Sequence, residues 1–236
     1  SSPHIYEPYP EQIMKLRKSL AYISNGFLGL EMIWLERLYG MNEKMTRLSF
    51  GDLIDPIDHN HGHEHEGDHA EAADPHYWVS PSCAAIMAAS VRDLLCSLNR
   101  EGTEKYKANC DVLVGRIDAL ERRADSLFSG FRGASFMIYH PNLAYLARDY
   151  GLEEVAVEFE GKEPPPSHLK HLIDLARQKN ISTIFVQKEY DIRNALSIAD
   201  EIGAEVVLID PPSPDWMNSV TFIIESLHRS LPGSLK

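Results

Sequence analysis

Short apolar runs alternate with stretches of helical periodicity over the second half of the chain. The apolar runs are continuous, and they cover residues 136–139, 155–157, 183–186 and 206–209. A stretch with helical spacing of apolar residues follows each run, over residues 142–150, 167–179, 192–202 and 215–231. Continuously apolar strands that alternate with helices are typical of a parallel sheet covered on both faces. The pattern therefore predicts an α/β lobe over residues 129–236.

The first half contains more helix than strand. Helical patterns cover residues 10–20, 30–39 and 81–99, and residues 20–23 are predicted to form a buried strand. Residues 55–74 consist mainly of His, Asp, Glu, Gly and Ala, so this segment is expected to be a surface loop without a core. Residues 103–128 keep one helical period throughout. The helix that they predict is near 37 Å long at about 1.5 Å per residue, which is longer than one compact lobe requires.

The charge balance is strongly acidic. The 236 residues contain 23 Lys and Arg against 35 Asp and Glu, a net charge of -12 at pH 7. Such a field repels nucleic acid and anionic membrane surfaces and attracts cations. No continuous apolar run approaches the roughly 18 residues of a membrane span, so none is predicted. Cys83, Cys96 and Cys110 do not have the spacing of a zinc site. The sequence leaves open whether two of them form a disulfide or all three stay thiols.

Four turns combine a metal-capable side chain with a neighbouring proline. They contain His4, His76, His140 and Asp210. His140 and Asp210 directly follow predicted strands, and ligands of parallel sheets bind at the carboxyl ends of strands. Proline restricts the local backbone and lowers the entropy lost when the neighbouring side chain is fixed. Three imidazoles and one carboxylate form a normal ligand set for zinc.

The segments around these turns resemble one protein family over nearly the whole chain. They read PHIYEP at 3–8, DPHYWVSP at 74–81, HPNLAYL at 140–146, YGL at 150–152, GKEPPP at 161–166 and IDP at 209–211. They are similar to the signature segments of the metal-specific solute-binding proteins of bacterial ABC transporters, in particular the zinc-uptake branch.

The resemblance implies an architecture. Two lobes with parallel sheets covered by helices, over 1–102 and 129–236, are expected to be joined by one long rigid helix over 103–128, with the metal site between the lobes. Family members have a strand, a helix and a second strand before their first signature segment. The N-terminal lobe is therefore expected to lack its first strands, as in a truncated form.

The same resemblance implies which residues bind the metal. The ligand positions of the family fall on His4, His76, His140 and Asp210. The imidazole at position 140 favours zinc, because manganese-binding relatives tend to place a carboxylate there and carboxylate-rich shells suit manganese. Mn²⁺ is the less favoured ion. Glu7 is a candidate to orient a ligand, since a metal-bound His usually donates its other N–H to such a group.

The loop over 55–74 is similar to the acidic, histidine-rich loop of the zinc branch. Its imidazoles are expected to bind additional zinc weakly, and a simple solvated spacer is the alternative; they belong to His59, His61, His63, His65 and His69. Residues 65–69 also match the metalloprotease pattern H-E-x-x-H. That chemistry requires both histidines on one helical face, and Gly67 and Asp68 in a segment without apolar periodicity disfavour a helix.

These observations predict a function. The chain is expected to be an extracytoplasmic zinc receptor that delivers Zn²⁺ to an ABC-transporter membrane permease. A periplasmic zinc buffer without a transporter and a zinc hydrolase are the alternatives. No enzymatic activity is expected, because a catalytic zinc needs an open position that Asp210 would fill. The protein is expected to be a periplasmic or otherwise extracytoplasmic monomer, with or without a lipid anchor in its precursor.

Overall fold

The computed structural model describes residues 9–58, 73–158 and 164–234. The helices are α1 (Pro10–Leu16), α2 (Gly29–Gly40), α3 (Pro81–Leu98), α4 (Thr103–Phe128), α5 (Ala144–Tyr150), α6 (Pro166–Gln178), α7 (Arg193–Ile202) and α8 (Trp216–Ser230). The strands are β1 (Ala21–Ser24), β2 (Thr46–Ser49), β3 (Ser135–Ile138), β4 (Glu153–Ala156), β5 (Thr183–Gln187) and β6 (Glu205–Ile209). Short 3₁₀ turns occur at Gly51–Leu53, Tyr77–Val79 and Arg100–Gly102.

The chain divides into two compact units. The first contains residues 1–75 and 83–115, and the second contains residues 76–82 and 116–236. The segment that carries His76 therefore belongs to the second unit, although its position in the sequence lies within 1–102. The boundary between residues 115 and 116 falls inside α4, a single helix of 26 residues. The long helix expected over 103–128 is confirmed.

The first unit has a two-stranded parallel sheet in which Ala21 of β1 pairs with Thr46 of β2. The turn after β1 is fixed by the buried carboxylate of Glu31, which accepts hydrogen bonds from the backbone N–H groups of Asn25 at 2.9 Å and Gly26 at 2.6 Å. Strand β2 was not predicted from the sequence. It has only four residues, two of them exposed and polar, so it lacks the apolar run that marks a buried strand.

Helix α3 is long and apolar enough to cross a membrane by length and composition alone. Its 18 residues have a mean hydropathy of 1.2, and 17% of them are buried. Its apolar residues do not form one continuous run, because Arg92 and Asp93 interrupt them. A single helix of this kind is weak evidence for a membrane span, since core helices of soluble proteins meet the same criteria. The absence of a span stays a prediction.

The second unit is built on a four-stranded parallel sheet in the order β4-β3-β5-β6. The chain moves outward from β3 to β4, returns to β5 beside β3, and then moves outward to β6 on the other side. The strand order thus reverses between β3 and β5. In open parallel sheets, the crevice at the carboxyl ends of two such strands is the usual place for a ligand.

Both faces of this sheet are covered, as the continuously apolar strands predict. Every residue of β3 and β5 is buried. One face packs against α4, α5 and α8, with Phe128, Leu146 and Ile223 in the core. The other face packs against α6 and α7, with Leu172 and Ile198 in the core. The predicted fold of two parallel sheets covered by helices is confirmed, and the predicted strands of this unit differ from those found by only one or two residues at their ends.

Candidate metal centre

The four predicted ligands differ in whether the structure describes them. His76, His140 and Asp210 are described, and all three lie in the second unit. His4 and Glu7 lie outside the described residues, and so do the loop histidines His59, His61, His63, His65 and His69.

The imidazoles of His76 and His140 lie next to each other. Their ring centroids are 5.3 Å apart, and the ring planes are at 82°. His76 is only 2% exposed, and its other side meets the indole of Trp78, whose centroid is also 5.3 Å away. Two histidine rings in contact form a pair of potential ligands for one ion. A divalent cation between two neutral imidazoles is one arrangement that satisfies such a pair.

His140 is oriented by two neighbouring side chains. Its Nδ1 lies 2.5 Å from Oε2 of Glu158, which is in the loop after β4. The ring of Tyr190 stacks on its face with the centroids 5.0 Å apart and the planes at 16°. A neutral imidazole that donates from Nδ1 keeps its lone pair on Nε2, the nitrogen that can then bind a metal ion. Glu158 is thus placed to orient His140, while Glu7, the candidate for such a role in the sequence, lies outside the described residues.

The backbone of His140 is held by Gln187, the last residue of β5. The fully buried side chain of Gln187 donates from Nε2 to the carbonyl oxygen of His140 at 2.6 Å. Its Oε1 accepts from the His140 N–H at 3.4 Å. Because β3 and β5 are paired neighbours, a side chain at the end of β5 lies beside the residues that follow β3. The turn that carries His140 is thus fixed at the point where the strand order reverses.

The turn that carries His76 is tied to the rest of the second unit through Trp78 and Ser80. The indole N–H of Trp78 donates to the carbonyl of Pro211 at 3.2 Å, and the indole N–H of Trp216 donates to the carbonyl of Trp78 at 2.7 Å. The hydroxyl of Ser80 donates to Asp149 of α5 at 2.5 Å. The turn with His76 is thereby linked to the turn that follows Asp210.

Asp210 directly follows β6. Its carbonyl oxygen accepts from the Ser219 hydroxyl at 2.5 Å and from the Ser213 N–H at 3.1 Å. Its carboxylate forms an ion pair with Lys188, with Oδ2 3.2 Å from Nζ. Across residues 9–58, 73–158 and 164–234, no three His, Cys, Asp or Glu side chains come together as a group that could hold a metal ion. The described part of the chain therefore brings His76 and His140 together and leaves Asp210 paired with Lys188.

One further polar group lies in this turn. Oδ1 of Asn142, two residues after His140, is buried and has no hydrogen-bond partner among the described residues. Buried polar atoms nearly always have a partner in the protein, in ordered water or in a ligand. An acceptor oxygen without a partner, beside two imidazoles in contact, is consistent with a turn that binds a polar or cationic ligand. The donor set of imidazoles backed by a carboxylate fits zinc.

Four residues of this centre were missed by sequence reasoning: Glu158, Gln187, Lys188 and Tyr190. The rule that ligands bind at the carboxyl ends of strands predicted His140 after β3 and Asp210 after β6. Extended to β4 and β5, the same rule would have marked Glu158 and Gln187.

The cysteines take no part in this centre. Cys83, Cys96 and Cys110 all lie in the described part of the first unit, and they form no disulfide with one another.

Comparisons with known proteins identify the family of the chain. A sequence model of the family described as "Zinc-uptake complex component A periplasmic" matches residues 1–227. The zinc-binding lipoprotein AdcA of Streptococcus pneumoniae is 26% identical over 223 residues, which are 89% of this chain and 44% of AdcA. The chain thus spans less than half the length of that relative.

Two solved structures extend the comparison. The crystal structure of ZnuA is 30% identical, with a TM-score of 0.86, and the match covers 98% of this chain and 86% of that one. The solute-binding protein FpvC from Pseudomonas aeruginosa, in complex with Mn²⁺, has a TM-score of 0.78 at 22% identity, with 100% of this chain and 88% of that one covered. At 22% identity, the similarity to FpvC shows the fold alone.

A parallel α/β unit with paired imidazoles at the carboxyl ends of its strands, in a chain with this match, defines a metal-binding solute-binding protein. The chain belongs to the ZnuA family of such proteins. The resemblance drawn from the sequence motifs is confirmed.

Proposed function

We propose that this chain is an extracytoplasmic zinc receptor that delivers Zn²⁺ to the permease of an ABC transporter. The observation that carries the proposal is the contact between His76 and His140, with Glu158 on Nδ1 of His140. Imidazoles backed by a carboxylate are typical zinc ligands. The family description and the name of the AdcA relative both refer to zinc, which supports the same ion.

The proposed ligands are His4, His76, His140 and Asp210. His76 and His140 are already in contact, so the site requires the addition of His4 and the transfer of the Asp210 carboxylate from Lys188 to the metal. Zinc is preferred over Mn²⁺ because three of the four ligands are imidazoles. The histidines of the loop over 59–69 are proposed to bind further zinc more weakly.

A receptor rather than an enzyme is proposed because four protein ligands fill a tetrahedral shell. A hydrolytic zinc keeps one position for water. A periplasmic zinc buffer has the same site requirements, and it differs from a receptor in having no permease as a partner. The acidic net charge of -12 also supports a cationic cargo over a nucleic acid.

The binding test is a competition titration of the metal-free protein with Zn²⁺ against a chromophoric chelator. We expect one tight zinc site in the parent protein, and His140→Ala should weaken that site by orders of magnitude while the fold is retained. His171→Ala is the matched control, because His171 is exposed on α6. Equal affinity in the His140→Ala variant and the parent would remove His140 from the ligand set.

The delivery test uses a bacterium that lacks its own zinc receptor. Expression of this chain with an export signal, together with the permease and ATPase of a zinc-uptake ABC transporter, should restore growth in zinc-limited medium. Tight zinc binding without restored growth would favour the buffer over the receptor. Zinc-dependent hydrolysis of ester or peptide substrates by the purified protein would favour the hydrolase.

A further inference from the structure

Lys188 and Asp210 are neighbours because of the strand register. Gln187 at the end of β5 pairs with Ile209 at the end of β6, and the N–H of Lys188 donates to the carbonyl of Ile209 at 3.1 Å. Lys188 and Asp210 are the residues that immediately follow this pair. Nζ of Lys188 lies 3.2 Å from Oδ2 of Asp210. The register of the sheet thus places the two residues side by side.

The two partners of this ion pair differ in how firmly they are held. The backbone of Asp210 is fixed through its carbonyl oxygen by Ser219 and Ser213. The side chain of Lys188 is 61% exposed and that of Asp210 is 35% exposed. A long, exposed ammonium side chain can leave at little cost because water solvates it well. Lys188 is therefore the part of the pair that can move when another cation arrives.

We propose that Lys188 is an internal competitor of the metal ion for the carboxylate of Asp210. In the metal-free protein the ammonium group occupies Oδ2, and Asp210 becomes a metal ligand only after the ammonium has left. This inference rests on the proposed function, since it takes Asp210 as a ligand of the transported ion. The Lys188 ammonium group lowers the metal affinity of the site, and it pairs with the Asp210 carboxylate again when the metal leaves. Both effects suit a receptor, which must release its cargo as well as capture it.

The size of the effect follows from the exposure of the pair. An exposed ion pair contributes only a small free energy, which is equivalent to a factor of about two to five in an equilibrium constant. Replacement of Lys188 by an uncharged residue of similar length should therefore tighten zinc binding about twofold to fivefold. The gain should appear as faster association, because the carboxylate is no longer occupied, and as slower dissociation, because the departing metal no longer has a cationic replacement.

The experiment compares zinc affinity and zinc dissociation rate in Lys188→Met, Lys188→Arg and the parent protein. We expect tighter binding and slower release in Lys188→Met and values near those of the parent in Lys188→Arg, which keeps the cation. Lys179→Met is the matched control. Lys179 also pairs with a carboxylate, that of Glu153, but at the opposite ends of the strands from Asp210. This control should bind and release zinc as the parent does.

A double-mutant cycle with Asp210→Asn separates competition at the carboxylate from general repulsion between two cations. If Lys188 acts through the carboxylate, Lys188→Met should have no effect on zinc affinity in the Asp210→Asn background. If Lys188→Met increases zinc affinity equally in the parent protein and in Asp210→Asn, the proposal is overturned. An unchanged or weaker affinity in Lys188→Met, with Asp210→Asn still weakening zinc binding, would also overturn it and leave the receptor function intact. If Asp210→Asn has no effect on zinc affinity, the ligand assignment itself fails.

Discussion

The side chain of Gln187 holds both backbone polar groups of His140. Its Nε2 donates to the His140 carbonyl at 2.6 Å, and its Oε1 accepts from the His140 N–H at 3.4 Å, with no part of Gln187 exposed. Tyr139 still makes backbone hydrogen bonds to both neighbouring segments, and at His140 a single buried amide replaces the ladder hydrogen bonds that would come next. The chain can turn away at His140 without leaving these groups unpaired, and the imidazole is presented at a fixed position.

Gln187→Leu should destabilise the second unit and weaken zinc binding. Loss of the amide leaves the His140 N–H and carbonyl without their partner, and a buried unsatisfied group costs about 1–3 kcal/mol. Urea denaturation of the metal-free protein measures the loss, and the exposed Gln178→Leu is the control. Gln187→Glu keeps an acceptor for the N–H but buries a carboxylate against the His140 carbonyl, so this variant should also be less stable than the parent protein at neutral pH. A parent-like Gln187→Leu would contradict this role.

Glu158→Gln should weaken zinc binding while the fold is retained. The carboxylate accepts from Nδ1 of His140, which fixes the orientation of the ring toward a metal ion. Removal of such a partner typically costs about 10- to 100-fold in metal affinity. The competition titration described for His140→Ala measures this effect. Glu205→Gln is the control, because it removes one negative charge at the exposed start of β6. Equal affinities of the two variants would show that Glu158 contributes only general charge.

The sequence predicted the second unit well because its strands are continuously apolar and its helices have long amphipathic periods. The turns with His76, His140 and Asp210 were also found, since proline marks each of them. The partners of these residues were not found. Glu158 is 18 residues from His140 and Gln187 is 47 residues away, and neither belongs to a local motif. Only the order β4-β3-β5-β6 brings them together, and periodicity predicts strands without predicting their order.

The first unit was harder to predict for a physical reason. Its strand β2 is short and partly polar, and it contacts α2 through the Arg47 guanidinium, which lies over the Tyr39 ring 4.0 Å from the centroid. Glu31, a charged residue of α2, is buried, and its carboxylate accepts two backbone hydrogen bonds from the turn after β1. Binary patterning would place such a residue on the surface.

Gly151→Ala should destabilise the protein. Gly151 ends α5 in the left-handed conformation at φ 67°, and an added Cβ would lie 3.2 Å from Cγ of Arg132. Both the backbone conformation and the close contact disfavour a side chain, at a cost of about 1 kcal/mol. Gly115→Ala is the opposite case, because Gly115 lies within α4 with no neighbouring atom within 4 Å of an added Cβ. That variant should be more stable by up to about 1 kcal/mol, and thermal unfolding compares the two.

Burial, together with the neighbouring His171, lowers the pKa of His168 below its ordinary value of 6.5. The two rings lie on the same side of α6 with their centroids 6.2 Å apart. Because the pKa is lower in the folded state, the unfolded chain binds a proton at His168 more readily. Stability therefore rises with pH between the folded value and 6.5, and it is lost as the solution is acidified through that interval.

His168→Gln should remove this acid sensitivity. The stability of the variant relative to the parent should increase as the pH is lowered from 7.5 to 5, as measured by urea denaturation of the metal-free proteins. His171→Gln removes one of the two causes, so the His168 imidazole in that variant should titrate closer to 6.5 in an NMR experiment. A His168 resonance that titrates at or above 6.5 in the parent protein would contradict the prediction. So would a stability difference between parent and His168→Gln that does not change with pH.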